Sequence, residues 1–182
     1  KTGKAKDGVP NGTYLEFEPD TELFGKYAYN MEYVEKRLWN YAYLNPGLKL
    51  KCNGKEYYSE NGIQDLLISE MGGDDKSLYK LFNYQGENLQ FVLSHTASLD
   101  KYVYSFVNGQ STEDGGTHVT GFKTALTRVI SKFAQEMPKG KKDITITADD
   151  IREGLTAVIA IKVSQPQFEG QTKRKLGNSE IA

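Results

Sequence analysis

A single cysteine, Cys52, and two histidines, His95 and His118, occur in 182 residues. One cysteine rules out an internal disulfide, and the three residues lack the spacing of metal ligands, which argues against a zinc site. Charge of one sign is missing too: the formal net charge is −1, so bulk electrostatics predicts neither a nucleic-acid nor a membrane partner. No apolar run reaches membrane-spanning length and no signal peptide is recognisable, so the expected setting is reducing and cytoplasmic. The first residue is Lys1, not methionine, which suggests a piece of a longer protein. There is no G-x-x-x-x-G-K-[ST] loop, and "EDGGTH" places no lysine where a phosphate loop needs one. Ser105, Ser111 and Thr117 have no histidine–carboxylate partnership in their sequence context, so a nucleophilic enzyme is not expected.

The residues present describe an ordinary globular chain, 38% hydrophobic and 12% aromatic, long enough to bury a continuous core. Residues 1–11 read as a connecting loop or hairpin. In "TYLEFEPD" Leu15 and Phe17 alternate with Tyr14, Glu16 and Glu18, the period of a short strand with one dry face. Asn30 caps a helix whose apolar residues Met31, Val34, Leu38 and Ala42 recur at helical spacing until "LNPG" ends it. Asn53-Gly54 supplies the two positive-φ positions of a tight hairpin. A helix capped by Asn61 and closed by Gly72-Gly73 follows, then three aromatic and β-branched strands read as a meander.

Val119, Phe122, Leu126, Val129, Ile130 and Phe133 form one stripe on the longest helix. Glu113-Asp114 and Asp149-Asp150 precede helices, where carboxylates are favoured as caps over acid–base catalysts. Thr147 and Asp150 stand at capping-box spacing, "LTAVIAIKV" reads as a strand covered on both faces, and Ser179 opens a helix start that reaches Ala182. No repeat or charge block interrupts the order. The expectation is one α+β domain over 1–182, a mixed, mostly antiparallel sheet packed by helices.

The segments "SFVNGQSTEDGGTHVTGFKTALTRV", "DIREGLTAVIAIKV" and "PQFEGQTKRKLGNSE", in this order and spacing, closely resemble the transducer domain of bacterial type IIA topoisomerase B subunits. These are the ATPase subunits of DNA gyrase and topoisomerase IV. The resemblance extends upstream to "GTYLEFEPD", "YLNPGLKL" and "YYSENGIQDLL", and so covers nearly the whole chain. The shared motifs do not separate the two enzymes, although "FEPD" and "LNPGLKLKCNGKEYYS" lean towards topoisomerase IV.

The resemblance implies a fold like domain two of ribosomal protein S five, with a left-handed βαβ crossover. It implies that a GHKL nucleotide-binding domain precedes the chain and a TOPRIM domain follows it. Lys173 then matches the lysine of a QTK loop that contacts the γ-phosphate of ATP in the preceding domain, with Gln171 beside it and Thr172 between them. ATP and Mg²⁺ would be held mainly by that other domain, so the chain alone is expected neither to bind nor to hydrolyse ATP. A flexible lysine suits a phosphate that is lost on hydrolysis, and Gly170 lets the backbone turn sharply. Arg174 and Lys175 read as solvated or helix-facing charges, and Thr117-His118 as a glycine turn with ordinary N-capping.

Implied partners are the topoisomerase A subunit in an A2B2 complex, a second B subunit on ATP binding, and a captured DNA duplex. Lys123 is the candidate for DNA contact on the long helix, with Arg128 nearby. A nucleic-acid-binding module of the same fold, without an ATPase role, is the alternative; the near-neutral charge speaks against it.

Overall fold

The computed structural model describes residues 8, 11–136 and 146–182. The loop expected over 1–11 lies, Gly8 and Asn11 apart, outside the described residues.

The helices are α1 (Thr21–Phe24), α2 (Met31–Leu44), α3 (Ile63–Met71), α4 (Thr117–Glu136) and α5 (Ala148–Arg152). The strands are β1 (Leu50–Cys52), β2 (Lys55–Tyr57), β3 (Phe82–Gln85), β4 (Leu89–His95), β5 (Tyr102–Val107), β6 (Gln110–Ser111) and β7 (Leu155–Ile161). Strands β1 and β2 form a separate hairpin, and the other five make one sheet in the order β3-β4-β7-β5-β6. The α+β class expected from the sequence is what forms, with an antiparallel majority and one parallel pair, β5 with β7.

Local chemistry explains most elements. Asn30 Oδ1 accepts from the Glu32 amide (3.0 Å) to start α2, which ends at Asn45 ahead of Pro46. Asn53 and Gly54 take φ 48° and 82°, the left-handed pair that a two-residue hairpin needs. Asn61 does not cap α3. The residue before that helix is Gly62 at φ 63°, where a Cβ would sit 2.7 Å from Pro46 Cγ. The Asp65 carboxylate instead reaches back, accepting from the Asn61 amide (3.1 Å), Asn61 Nδ2 (3.0 Å) and Ser59 Oγ (2.6 Å). Gly72 closes α3 in the left-handed conformation. Thr147 and Asp150 complete a reciprocal capping box on α5.

The meander is corrected by the position of β7. Its run Leu155–Ile159 is fully buried, and a strand dry on both faces is most stable in the middle of the sheet. It therefore lies between β4 and β5, antiparallel to the first and parallel to the second, and the path from β5 to β7 crosses over through β6, α4 and α5. The period of two then sorts the core. Val92, Phe106 and Val158 meet Ile63, Leu66 and Leu67 of α3 on one face, while Phe91, Leu93, Leu155 and Ala157 meet Phe122 and Leu126 of α4 on the other. Each fully buried Val, Leu, Ile or Phe side chain among them contributes roughly 1.5–3 kcal/mol.

Two expectations fail for want of a partner. Residues 14–18 form no strand: Tyr14, Leu15 and Phe17 are 83%, 84% and 74% exposed, and among the described residues no strand lies beside them for the alternation to pair with. The stripe on α4 is only half used. Val129 and Phe133 are 64% and 61% exposed, and an open groove of about 940 Å³ runs between α4, the sheet face and residues 180–182.

Candidate functional site

The segment after β7 builds a narrow hairpin whose tip is the Gln171-Thr172-Lys173 triplet. Asn108, in the β5–β6 turn at φ 50°, receives the chain: its Nδ2 donates to Val163 O (2.7 Å) and its Oδ1 accepts from the Val163 amide (2.8 Å). Asn178, only 1% exposed, closes the neck. Its Oδ1 accepts from the Gln167 amide (2.6 Å), while Nδ2 donates to Gln165 O (3.1 Å) and Glu180 Oε1 (2.7 Å). That last bond holds the Glu180 carboxyl below its usual range. The legs pair where the Gly177 amide donates to Gln167 O (2.7 Å) and the Glu169 amide to Lys175 O (2.9 Å).

At the tip Gly170 takes φ 95°, and the Lys173 amide donates back to Gly170 O (3.3 Å) to close a turn. Gln171, Thr172 and Lys173 are all exposed. Lys173 has φ 55°, a left-handed backbone that costs a side chain of this kind about 1–2 kcal/mol. No hydrogen bond or ion pair to its ammonium is found among the described residues.

The neighbouring cations are spoken for. Arg174 pairs with Asp114 through Nε–Oδ2 (3.0 Å) and Nη2–Oδ1 (3.2 Å) and with Glu113 Oε2 (3.2 Å), and Lys175 pairs with Glu169 (3.0 Å). They are therefore ion-paired, not merely solvated. Glu113 and Asp114 turn to the loop; they are not caps of α4. Pairing across 60 residues of sequence leaves no signal in local spacing.

The base of the hairpin rests on the start of α4. The Asp114 amide donates to Arg174 O (3.0 Å), the Leu176 amide to Gly115 O (3.1 Å), and the Thr117 amide to Leu176 O (3.1 Å). A Cβ on Gly116 would stand 2.9 Å from Leu176 Cα and nearer still to its N and O, so only glycine admits this approach. The backbone amide of Thr117 is thus taken by the loop, and its hydroxyl is buried without a partner among the described residues, so it caps none of them.

His118 is 4% exposed and lines the groove beside α4. Thr112 Oγ1 lies 3.3 Å from its Nε2 and 2.7 Å from Ser105 Oγ, a buried polar chain that sequence spacing did not reveal. Burial pushes the imidazole down to about 4, so it is neutral at pH 7, and Nδ1 has no partner among the described residues. Ser105 is itself buried, and its hydroxyl is engaged by Thr112.

Lys123 is half-buried on α4, one turn before Thr127, whose hydroxyl accepts from Arg152 Nη2 (3.3 Å); Arg128 is exposed. The structure does not bring Lys123 to the loop. It lies six residues beyond Thr117, roughly 9 Å along the axis at the usual helical rise. Among the described residues no group of three or more metal-ligating side chains converges, and no helix is long and apolar enough to cross a membrane.

Residues 54–182 match a family model described as DNA gyrase B. The chain is 43% identical over 175 residues, 96% of its length, to the B subunit of DNA topoisomerase 4 from Borreliella burgdorferi, and spans 28% of that protein. It superposes on the 43K ATPase domain of Thermus thermophilus gyrase B with a TM-score of 0.73 and 32% identity, covering 91% of this chain and 47% of that one. It is also similar to the ATPase and transducer domains of DNA topoisomerase II from Balamuthia mandrillaris, with a TM-score of 0.61 and 25% identity over 79% of this chain and 34% of that one.

Proposed function

The chain belongs to the DNA gyrase B family, the B subunits of bacterial type II topoisomerases, and on that basis we propose that it is the transducer of an ATP-dependent DNA topoisomerase. Its work is to couple ATP binding and hydrolysis in a preceding GHKL domain to the domain motions of DNA strand passage. The fold is read as that of domain two of ribosomal protein S five, with the β5–β7 crossover left-handed.

The observation that carries the reading is the state of the loop tip. Arg174 and Lys175 are neutralised by carboxylates, whereas Lys173 is exposed, held in a left-handed backbone, and without an ion pair among the described residues. A lone ammonium on a braced hairpin fits a phosphate offered by another domain. ATP, with Mg²⁺, supplies the γ-phosphoryl group and is bound mainly by the GHKL domain. Lys173 places positive charge against that group's oxygens, with Gln171 and Thr172 flanking it at the same tip. Once the phosphate leaves, Lys173 loses its differential affinity for the closed arrangement and the domains are free to rotate. Because the loop base is bonded to the start of α4, movement of the tip is conveyed to the longest helix.

The intact B subunit is read as acting with the A subunit in an A2B2 complex and as pairing with a second B subunit when ATP binds. A captured duplex would be met by sequence-tolerant phosphate contacts, for which Lys123 is the candidate.

The test is ATP turnover by the intact B subunit with and without Lys173→Ala. The expected result is a fall in kcat of two or more orders of magnitude, about 2.7 kcal/mol of lost transition-state stabilisation. Unchanged turnover would refute the assignment.

A further inference from the structure

Three non-glycine residues among those described have positive φ: Asn53, Asn108 and Lys173. The two asparagines each precede a glycine in a hairpin turn, where a short amide side chain tolerates the left-handed region. Lys173 has no such advantage, so its conformation has to be imposed by its surroundings. The imposing contact is one residue away. Arg174 sets two guanidinium nitrogens on the two oxygens of Asp114, at 3.0 and 3.2 Å, and reaches Glu113 at 3.2 Å, while its own carbonyl accepts the Asp114 amide at 3.0 Å. A planar fork on a carboxylate fixes direction as well as distance, which an ammonium cannot do. The other bonds to the segment before α4 and its start, Leu176 to Gly115 and Thr117 to Leu176, are backbone bonds at the base of the hairpin, and the Lys173–Gly170 and Glu169–Lys175 contacts lie within it. Arg174 therefore supplies the side-chain contact that orients the tip against Glu113 and Asp114.

We infer that Arg174, clamped by Asp114 and Glu113, is a positioning residue that aims Lys173. The inference rests on the reading of Lys173 as the γ-phosphate contact. The three side chains are each about half exposed, so the clamp adds little to the stability of the fold and acts on the orientation of the tip. It also keeps a second cation from competing for the same anion.

The experiment uses the intact B subunit and measures kcat and KM for ATP together with thermal stability. Arg174→Ala is expected to lower kcat by about three- to tenfold with KM and melting temperature unchanged. Arg174→Lys, which keeps the charge and loses the fork, is expected to resemble Arg174→Ala. The exchange Arg174→Asp with Asp114→Arg restores turnover. In a Lys173→Ala background Arg174→Ala has no further effect, because the arginine acts through the lysine. A purely structural role would lower turnover equally in both backgrounds and would not distinguish arginine from lysine; either result overturns the inference. If Lys173→Ala abolishes turnover while Arg174→Ala is silent, the positioning role alone falls. A silent Lys173→Ala removes the functional reading and this inference with it.

Discussion

The buried imidazole of His118 gives a pH dependence whose size follows from its surroundings. An unfolded histidine titrates near 6.5, whereas burial holds this one at about 4. Between these values the unfolded chain takes up a proton that the folded chain refuses. Stability is therefore at its full value above about pH 6.5 and is lost as the pH falls towards 4. The whole interval amounts to about 3 kcal/mol, at about 1.4 kcal/mol for each tenfold change in proton affinity. The hydroxyls beside the ring, Ser105 and Thr112, are neutral, and Nδ1 has no partner among the described residues. The assay is urea denaturation of the chain at intervals from pH 7.5 to 4, for the parent and for His118→Leu, with the imidazole followed by NMR in parallel. Carboxylates titrate in both proteins, so their contribution cancels in the difference. The parent should lose stability on acidification more steeply than the variant, by roughly 3 kcal/mol across the range. Parallel curves, or an imidazole that titrates above 6, would refute the argument.

Asp65→Ala removes the acceptor shared by Asn61 and the buried Ser59 hydroxyl, and should cost about 1–3 kcal/mol by chemical denaturation, with α3 fraying first in hydrogen exchange. Burial pushes the Asp65 carboxyl up, but its bonds from Ser59 and Asn61 outweigh this and hold it below the usual range, so the stability it adds is lost as pH falls through its folded value. Gly116→Ala forces a side chain into the Leu176 backbone at φ 133°, and should free the QTK hairpin from α4. Faster proteolysis between residues 165 and 177 would register the change, and an unaltered cleavage pattern would show that the two segments do not depend on each other.

Much of this structure was legible because its signals are local. The Asn30 cap, the Asn53-Gly54 hairpin, the Thr147–Asp150 box and the dry run of β7 each depend on a few adjacent residues, and each forms as read. The failures are failures of distance. Nothing near residues 14–18 announces that no strand partner stands beside them among the described residues, and nothing near β4 and β5 announces that a strand about fifty residues later will separate them. Asn61 looks like a cap until Pro46 excludes a side chain at the next position. The loop residues stand out through family resemblance and not through spacing, since a Gln-Thr-Lys triplet carries no chemistry by itself. The brace of Asp114 on Arg174 becomes visible only once the fold places them together.

The central strand has a consequence for which parts of the molecule open first. From Leu155 to Ile159 β7 is buried and flanked by a strand on each side, so its amides are released only when the sheet itself comes apart. The hairpin that follows is exposed at its tip and held by a few bonds at its neck, and the energy needed to loosen it is far smaller. Hydrogen exchange should therefore find the slowest amides in this strand and fast ones at the tip that follows it. Loosening the tip therefore does not require opening the sheet that carries it.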